Sequence, residues 1–148
     1  MSRIASALAV VVLGAGLGAA QGSESPLVVE VTTDRDVYRA RRLVRITLTE
    51  TNTSDHGVDV TFGCQILQAH ATAQDGSVVW VFRDHRLCST GQGTLAGRAS
   101  RTFEIGWNTK RSRRGRLGVI RVPPGEYTIT AGVDGVSDST VVRLRRRK

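Results

Sequence analysis

The feature that most constrains the fold of this chain is a turn followed by an alternating segment, at residues 122–133. This segment reads VPPGEYTITAGV. Proline can neither donate to a β ladder nor continue a helix, so we expect the chain to reverse at Pro123-Pro124-Gly125. After the turn, apolar residues occupy every second position, which is typical of a strand with one buried face. The sequence therefore predicts a half-buried β-strand, on which the rest of the chain pairs or packs. Its buried side chains are expected to be Tyr127, Ile129, Ala131 and Val133.

Seven further segments show the same alternation or a run of β-branched and apolar residues, and turn formers separate them. The strongest turn signal is Asp75-Gly76, which favours a tight hairpin between residues 66–73 and 78–82. A second hairpin is expected between residues 43–49 and 58–62, across the turn-rich segment TNTSDHG. The sequence predicts an all-β fold, an immunoglobulin-like antiparallel β-sandwich of about seven to nine strands.

Residues 1–20 have the pattern of a secretory signal peptide. Arg3 gives a short basic region, residues 4–19 are apolar, and Gly18-Ala19-Ala20 is a small-residue cleavage site. An uncleaved membrane anchor is the alternative, but the run is rich in Ala and Gly and short for a span. We therefore expect a secreted, periplasmic or cell-envelope protein. Its predicted parts are a signal peptide at 1–20, a linker at 21–26, one β-sandwich domain at 27–144 and a basic tail at 145–148.

The chain has two cysteines, Cys64 and Cys88. In an exported protein, a pair of cysteines is expected to form a disulfide rather than two free thiols. The H-x-x-C spacing of His85 and Cys88 leaves zinc as an alternative, with His56 and His70 as further candidate ligands. Because oxidation removes both thiols as ligands, we predict a disulfide, no metal and no cofactor.

Residues that could carry chemistry do not form a recognised catalytic motif. Ser89 lies near His85 and Asp84, but no nucleophile elbow surrounds it, and no phosphate-binding glycine loop occurs. The sequence therefore predicts a protein that is not an enzyme. Its aromatic residues are expected in the core between the sheets rather than around a ligand: Trp80, Phe82, Phe103, Trp107 and Tyr127.

The chain is strongly cationic, with a formal net charge of +8 at pH 7. This charge favours contact with polyanions but does not determine a fold. No aromatic residue interleaves with the basic residues, so base stacking and sequence-specific nucleic-acid recognition are not indicated. A solvated cationic face that contacts an anionic envelope polymer is the simpler interpretation. Two basic clusters stand out: Lys110, Arg111, Arg113, Arg114 and Arg116 in a loop, and Arg143, Arg145, Arg146, Arg147 and Lys148 in the tail.

Several short motifs occur together over residues 44–133. They are Gly76-Ser77-Val78-Val79-Trp80, Leu95-Ala96-Gly97, Phe103-Glu104-Ile105-Gly106-Trp107 and Pro124-Gly125-Glu126-Tyr127, preceded by Asn52-Thr53-Ser54, Thr61-Phe62 and Gln65. In this order and spacing they resemble the BsuPI family, the intracellular proteinase inhibitors. The resemblance implies an antiparallel β-sandwich that binds a protease. The chain differs from the family pattern in its cysteine pair, its arginine-rich insertion after Trp107, and Ile66-Leu67-Gln68 after the Gln.

Two functional hypotheses from different classes follow. In the first, motivated by the resemblance, the protein is a secreted protease-inhibitor-like module that blocks its target with an end loop. The candidate loops are residues 83–93 and 108–116. In the second, the same fold is a non-inhibitory envelope module that adheres through its cationic face. The oligomeric state is left open. The candidate protein-binding residues are Arg83, Arg86, Arg111, Arg113 and Arg114.

Overall fold

The structure, a computed structural model, describes residues 25–111 and 120–146. The predicted signal peptide, residues 21–24 of the linker and the last two residues of the tail lie outside this part, as do Arg113, Arg114 and Arg116. The proposed division of the chain therefore stays a prediction. The described residues form ten strands: β1 (Leu27–Thr33), β2 (Val37–Arg39), β3 (Val44–Asn52), β4 (Val58–Phe62), β5 (Gln68–Ala73), β6 (Val78–Val81), β7 (Gly91–Leu95), β8 (Ser100–Trp107), β9 (Gly125–Val133) and β10 (Val136–Arg145).

These strands form three sheets, with the orders β1-β3-β8, β2-β10-β9-β5-β6 and β4-β7. The predicted all-β, immunoglobulin-like sandwich is confirmed. Two strands go beyond the segments predicted from the sequence. β2 is only three residues long and pairs in parallel with β10, and β7 includes the last three residues, 91–93, of the expected loop 83–93. Among the described residues, none belongs to a helix long and apolar enough to cross a membrane.

Strand β9 lies at the centre of the five-stranded sheet, between β10 and β5. Its Tyr127, Ile129, Ala131 and Val133 are all buried, as the alternation predicts. The strand pairs with β10 through a tight turn at Asp134-Gly135, where both residues have positive φ, 48° and 79°. A turn of this hand matches the twist of the strands it joins. The segment that begins at the prolines thus forms the middle of the sheet.

Of the two predicted hairpins, one forms and one does not. β5 and β6 pair across the turn that contains Gly76, whose φ is 81°. β3, however, lies between β1 and β8, while β4 pairs with β7. The buried side chain of Asn52 explains the difference. Its amide donates to the carbonyl oxygens of Leu95 and Ala96 at 3.0 and 3.1 Å, and its Oδ1 accepts from the Ser54 backbone N–H at 3.0 Å. These bonds direct the chain out of one sheet and into another.

An aromatic stack fills the core between the sheets. Trp107 is fully buried, and its ring lies 5.9 Å from that of Trp80 and 5.5 Å from that of Tyr127. The polar atoms of the stack have partners, because the Trp107 indole donates to the Lys110 carbonyl at 3.1 Å and the Tyr127 hydroxyl to the Pro123 carbonyl at 2.6 Å. Phe82 and Phe103 are partly buried against the same core. The prediction that these aromatics form the core is confirmed.

A buried ion cluster joins the sheets at one side. Arg101 of β8 donates to Glu50 of β3 at 2.5 Å and to Asp134, in the β9–β10 turn, at 2.5 Å. It also donates to the Thr61 carbonyl of β4 at 2.7 Å. The rings of Phe62 and Phe103 lie 4.9 and 5.2 Å from its guanidinium carbon. One side chain therefore links the two-stranded sheet to both of the larger ones.

The side chain of Tyr38 makes the stability of the fold depend on pH in alkaline solution. This side chain of β2 is buried, and its hydroxyl donates to Asp34 Oδ1 at 2.5 Å. Burial, with the hydrogen bond to a carboxylate, raises the pKa of Tyr38 to about 12. Tyrosine in the unfolded chain has a pKa of about 10, so the folded state holds the proton more tightly. The stabilisation is complete below about pH 10 and is lost as the pH rises to about 12.

We therefore expect the free energy of unfolding to fall more steeply between about pH 10 and pH 12 for the wild type than for Tyr38→Phe. Urea unfolding followed by fluorescence at several alkaline pH values measures both slopes. Equal slopes in the two proteins would contradict this role of Tyr38.

Candidate functional site: a disulfide-tethered loop

The loop between β6 and β7 is held at its end by a disulfide. Residues 83–90, called the tethered loop below, contain no regular secondary structure. Cys88 of this loop is bonded to Cys64, which follows β4 and is buried, with a Cα–Cα distance of 5.6 Å. The predicted disulfide is confirmed. Both sulfurs are therefore unavailable as zinc ligands, and among the described residues no three His, Cys, Asp or Glu side chains are grouped to hold a metal.

The returning half of the tethered loop packs directly on Gly63. A Cβ atom at Gly63 would lie 2.3 Å from the Ser89 carbonyl oxygen, and the φ of Gly63 is +116°. Only glycine adopts such a conformation without strain, and only glycine allows so close an approach of the backbone. The loop is thus fixed twice at this end, covalently at Cys88 and by backbone packing at Ser89.

The first half of the loop is fixed by Asp84. Its carboxylate accepts a forked pair of hydrogen bonds from Arg86, at 2.9 Å from Nε and 2.7 Å from a terminal nitrogen. It also accepts from the backbone N–H of Arg86 at 3.0 Å and of Gln65 at 3.3 Å. Hydrogen bonds from the Arg86 side chain and backbone hold the pKa of Asp84 well below its usual range. Because a lowered pKa keeps the group ionised, the fork remains intact in neutral and mildly acidic solution.

Between these two anchors, Leu87 projects into solvent. Its side chain is 97% exposed, more than any other large apolar residue among those described. The other exposed large apolar residues are covered further by their neighbours, with Val78 at 56% and Leu43 at 50% exposure. An apolar side chain at the tip of a loop held on both sides can enter a partner's pocket with little loss of conformational entropy.

The predicted loop arginines differ in their surroundings. Arg83 is exposed at the start of the tethered loop, whereas Arg86 is held by Asp84. Arg111 is exposed at the other end of β6. It lies near the β5–β6 turn, where its charge adds to the hydrogen bonds from Ser77 that lower the pKa of Asp75. Arg111 is therefore not brought together with Arg83 and Arg86, and Arg113 and Arg114 lie outside the described residues.

Two predictions about this loop are revised. It is shorter than residues 83–93, because residues 91–95 pair with β4 as β7. The most exposed large apolar side chain of the loop is Leu87, which is not among the candidate residues predicted from the sequence. A signal was present, since Leu87 is the apolar residue of a polar segment and directly precedes Cys88. Asp84, considered beside Ser89 and His85 for catalysis, instead pairs with Arg86.

Comparison with known proteins shows that this chain resembles parts of some solved structures in fold. No family model and no curated protein sequence matches the chain. Among solved structures, a β-glucosidase from Erythrobacter marinus aligns with a TM-score of 0.52 at 14% identity, over 80% of this chain and 15% of its own. A β-glucosidase from Listeria innocua in complex with isofagomine gives 0.50 at 13%, over 80% and 16%. The CARDB domain of a Pyrococcus furiosus protein in complex with di-metal ions gives 0.49 at 14%, over 80% and 87%. This chain thus spans about one sixth of the length of the β-glucosidases.

Proposed function

We propose that this protein is a secreted protease-inhibitor-like module that blocks its target with the tethered loop. The observation that carries the proposal is the 97% exposure of Leu87 in a loop held by the disulfide on one side and by Asp84 on the other. A preorganised loop binds a cleft at a small entropic cost, because the freedom that it would lose on binding is already restricted. The resemblance to the BsuPI family supports the same class of function. A disulfide suits an oxidising compartment and hence export.

The chemistry of the tip suggests the type of protease. Leu87 suits a hydrophobic specificity pocket of the chymotrypsin kind, whereas an acidic pocket of the trypsin kind would require a free arginine. Between the anchors Asp84 and Cys88 the one arginine is Arg86, and it is engaged in a forked bond with Asp84, which a trypsin-like pocket would have to break. The proposed target therefore accepts a large apolar side chain, as chymotrypsin-like and subtilisin-like enzymes do.

Substitution of Leu87 tests this proposal. For Leu87→Ala we expect inhibition of the target to weaken by at least about 30-fold, because a buried anchor in an interface contributes ~2 kcal/mol or more. Leu87→Arg should move inhibition towards trypsin-like enzymes. Val28→Ala is the matched control, since Val28 is half exposed on β1, outside the loop. Inhibition constants from progress curves provide the measurement. If Leu87→Ala inhibits as well as Val28→Ala does, Leu87 is not the anchor.

The second hypothesis, a non-inhibitory envelope module, stays a prediction. Its two basic clusters lie partly outside the described residues. Of the described members, Arg143 pairs with Glu126, and Arg145 and Arg146 are exposed. Salt-sensitive binding to an anionic envelope polymer, lost when both clusters are replaced by serine, would favour this hypothesis.

A further inference from the structure

Five arginines line one open cleft where β2 meets β10. The cleft encloses about 730 Å³, and none of its lining residues belongs to the tethered loop. Among the described residues, Arg145 is the only one that the cleft shares with the two basic clusters. We call it the arginine cleft, and its charged lining residues are Arg35, Arg39, Arg42, Arg45, Arg145 and Asp34.

The fold collects these arginines from distant parts of the chain. The parallel pairing of β2 with β10 sets Arg39 directly beside Arg145. The chain then turns back, with the Arg42 backbone N–H donating to the Arg39 carbonyl at 3.1 Å and Arg41 in the left-handed region at φ 77°. Arg45, which is exposed on β3, is the remaining arginine that lines the cleft. Because a non-glycine residue at positive φ costs free energy, the turn that brings Arg42 to the cleft is maintained against strain.

The charge of the cleft is largely uncompensated. Asp34, the one carboxylate among the described lining residues, accepts from the Tyr38 hydroxyl at 2.5 Å and lies 3.7 Å from the exposed Arg35. The other four arginines have no carboxylate partner within the described part of the chain. By contrast, Arg86, Arg98, Arg101 and Arg143 each pair with an acid. Like charges held in one cleft repel one another, and a bound anion would remove that cost.

We propose that the arginine cleft binds a phosphate-bearing polyanion through its phosphate groups. Guanidinium forks match the oxygen geometry of phosphate, and a cleft of this size admits several such groups rather than one. The cleft's aromatic residue cannot stack on a base, since Tyr38 is buried with its hydroxyl bonded to Asp34. Recognition therefore depends on the phosphates, whether a nucleic acid or a phosphate polymer supplies them. This site is independent of the tethered loop and of protease binding.

The test is calorimetric titration of the full chain with inorganic tripolyphosphate, with an oligo-dT strand and with polyglutamate at matched charge. We expect tripolyphosphate and oligo-dT to bind, polyglutamate to bind at least about 10-fold more weakly, and affinity to fall as salt rises. Arg39→Ser/Arg145→Ser should weaken the binding of both phosphate ligands at least about 10-fold, since hydrogen bonds between charged groups are lost. Arg98→Ser/Arg121→Ser, which removes the same charge outside the arginine cleft and the two basic clusters, should change it less than about threefold.

Several results would overturn the proposal. An equal loss of affinity in the two double variants would mean that the ligands bind through the overall positive charge and not at the arginine cleft. Binding of oligo-dT without tripolyphosphate would show that bases are read, and equal binding of polyglutamate would remove the phosphate selectivity. The changed residues are exposed, so unchanged melting temperatures of the variants will exclude misfolding as the cause of a loss.

Discussion

Replacing Arg101 with alanine is expected to lower the free energy of unfolding by about 3–5 kcal/mol. The substitution leaves Glu50, which is fully buried, and Asp134, which is nearly so, without their cation. Glu50 already has one oxygen without a hydrogen-bond partner. Breaking one member of a buried ion cluster is costly because the remaining charges stay desolvated. The loss of Arg101 also removes the cation between the rings of Phe62 and Phe103.

Urea unfolding of Arg101→Ala beside Arg98→Ala separates this effect from that of an ordinary ion pair. Arg98 and Asp55 form a pair of similar length, but their side chains are 66% and 74% exposed, so we expect a loss below about 1 kcal/mol. Burial raises the pKa of Glu50, and the hydrogen bond from Arg101 opposes that rise. Without Arg101, Glu50 should protonate more readily, so the deficit relative to wild type should shrink on mild acidification. Similar losses for the two variants would contradict a structural role for the buried ion cluster.

Removing the disulfide is expected to lower the free energy of unfolding by about 3–4 kcal/mol in the chain-entropy model. The two cysteines are 24 residues apart in sequence, and their bond restricts the unfolded chain over that distance. The substitution Cys64→Ser/Cys88→Ser also releases the end of the tethered loop, so protease inhibition should weaken with stability. A loss of inhibition at temperatures where the variant is fully folded would separate the two effects.

Denaturant unfolding with and without reductant measures this contribution. Reductant should destabilise the wild type to about the level of the double serine variant and should leave that variant unchanged. A wild type indifferent to reductant, or a double variant within 1 kcal/mol of it, would rule out the assigned stabilisation.

The local sequence pattern was sufficient to predict most of the strands. The alternation at residues 122–133 and at residues 43–49 predicted β9 and β3, because one face of each is buried and the other contacts water. The Asp-Gly turn predicted the β5–β6 hairpin for a similarly local reason. The spacing of turn formers could not reveal that Asn52 redirects the chain after β3, since its partners at residues 95 and 96 are far away in sequence.

The sites depend even more on tertiary pairing. The arginine cleft exists because a three-residue strand pairs in parallel with β10, and no periodicity marks so short a strand. No neighbouring residue in the sequence marks Arg101 as part of an ion cluster, because its three partners come from three different segments of the chain. The tethered loop was predictable in outline from its cysteine. The proposed binding residue was not predictable, because the Asp84–Arg86 fork that leaves Leu87 as the free side chain is a feature of the folded loop.

The most direct test of the central proposal is a stoichiometric titration of the oxidised protein against chymotrypsin-like, subtilisin-like, trypsin-like and papain-like proteases, with intact mass recorded afterwards. We predict one-to-one inhibition of an enzyme with a hydrophobic specificity pocket, with the 83–90 loop uncleaved or cleaved at Leu87 alone and retained in the complex. Digestion of the protein without inhibition, or no effect on any class, would contradict the proposal that this loop blocks a protease.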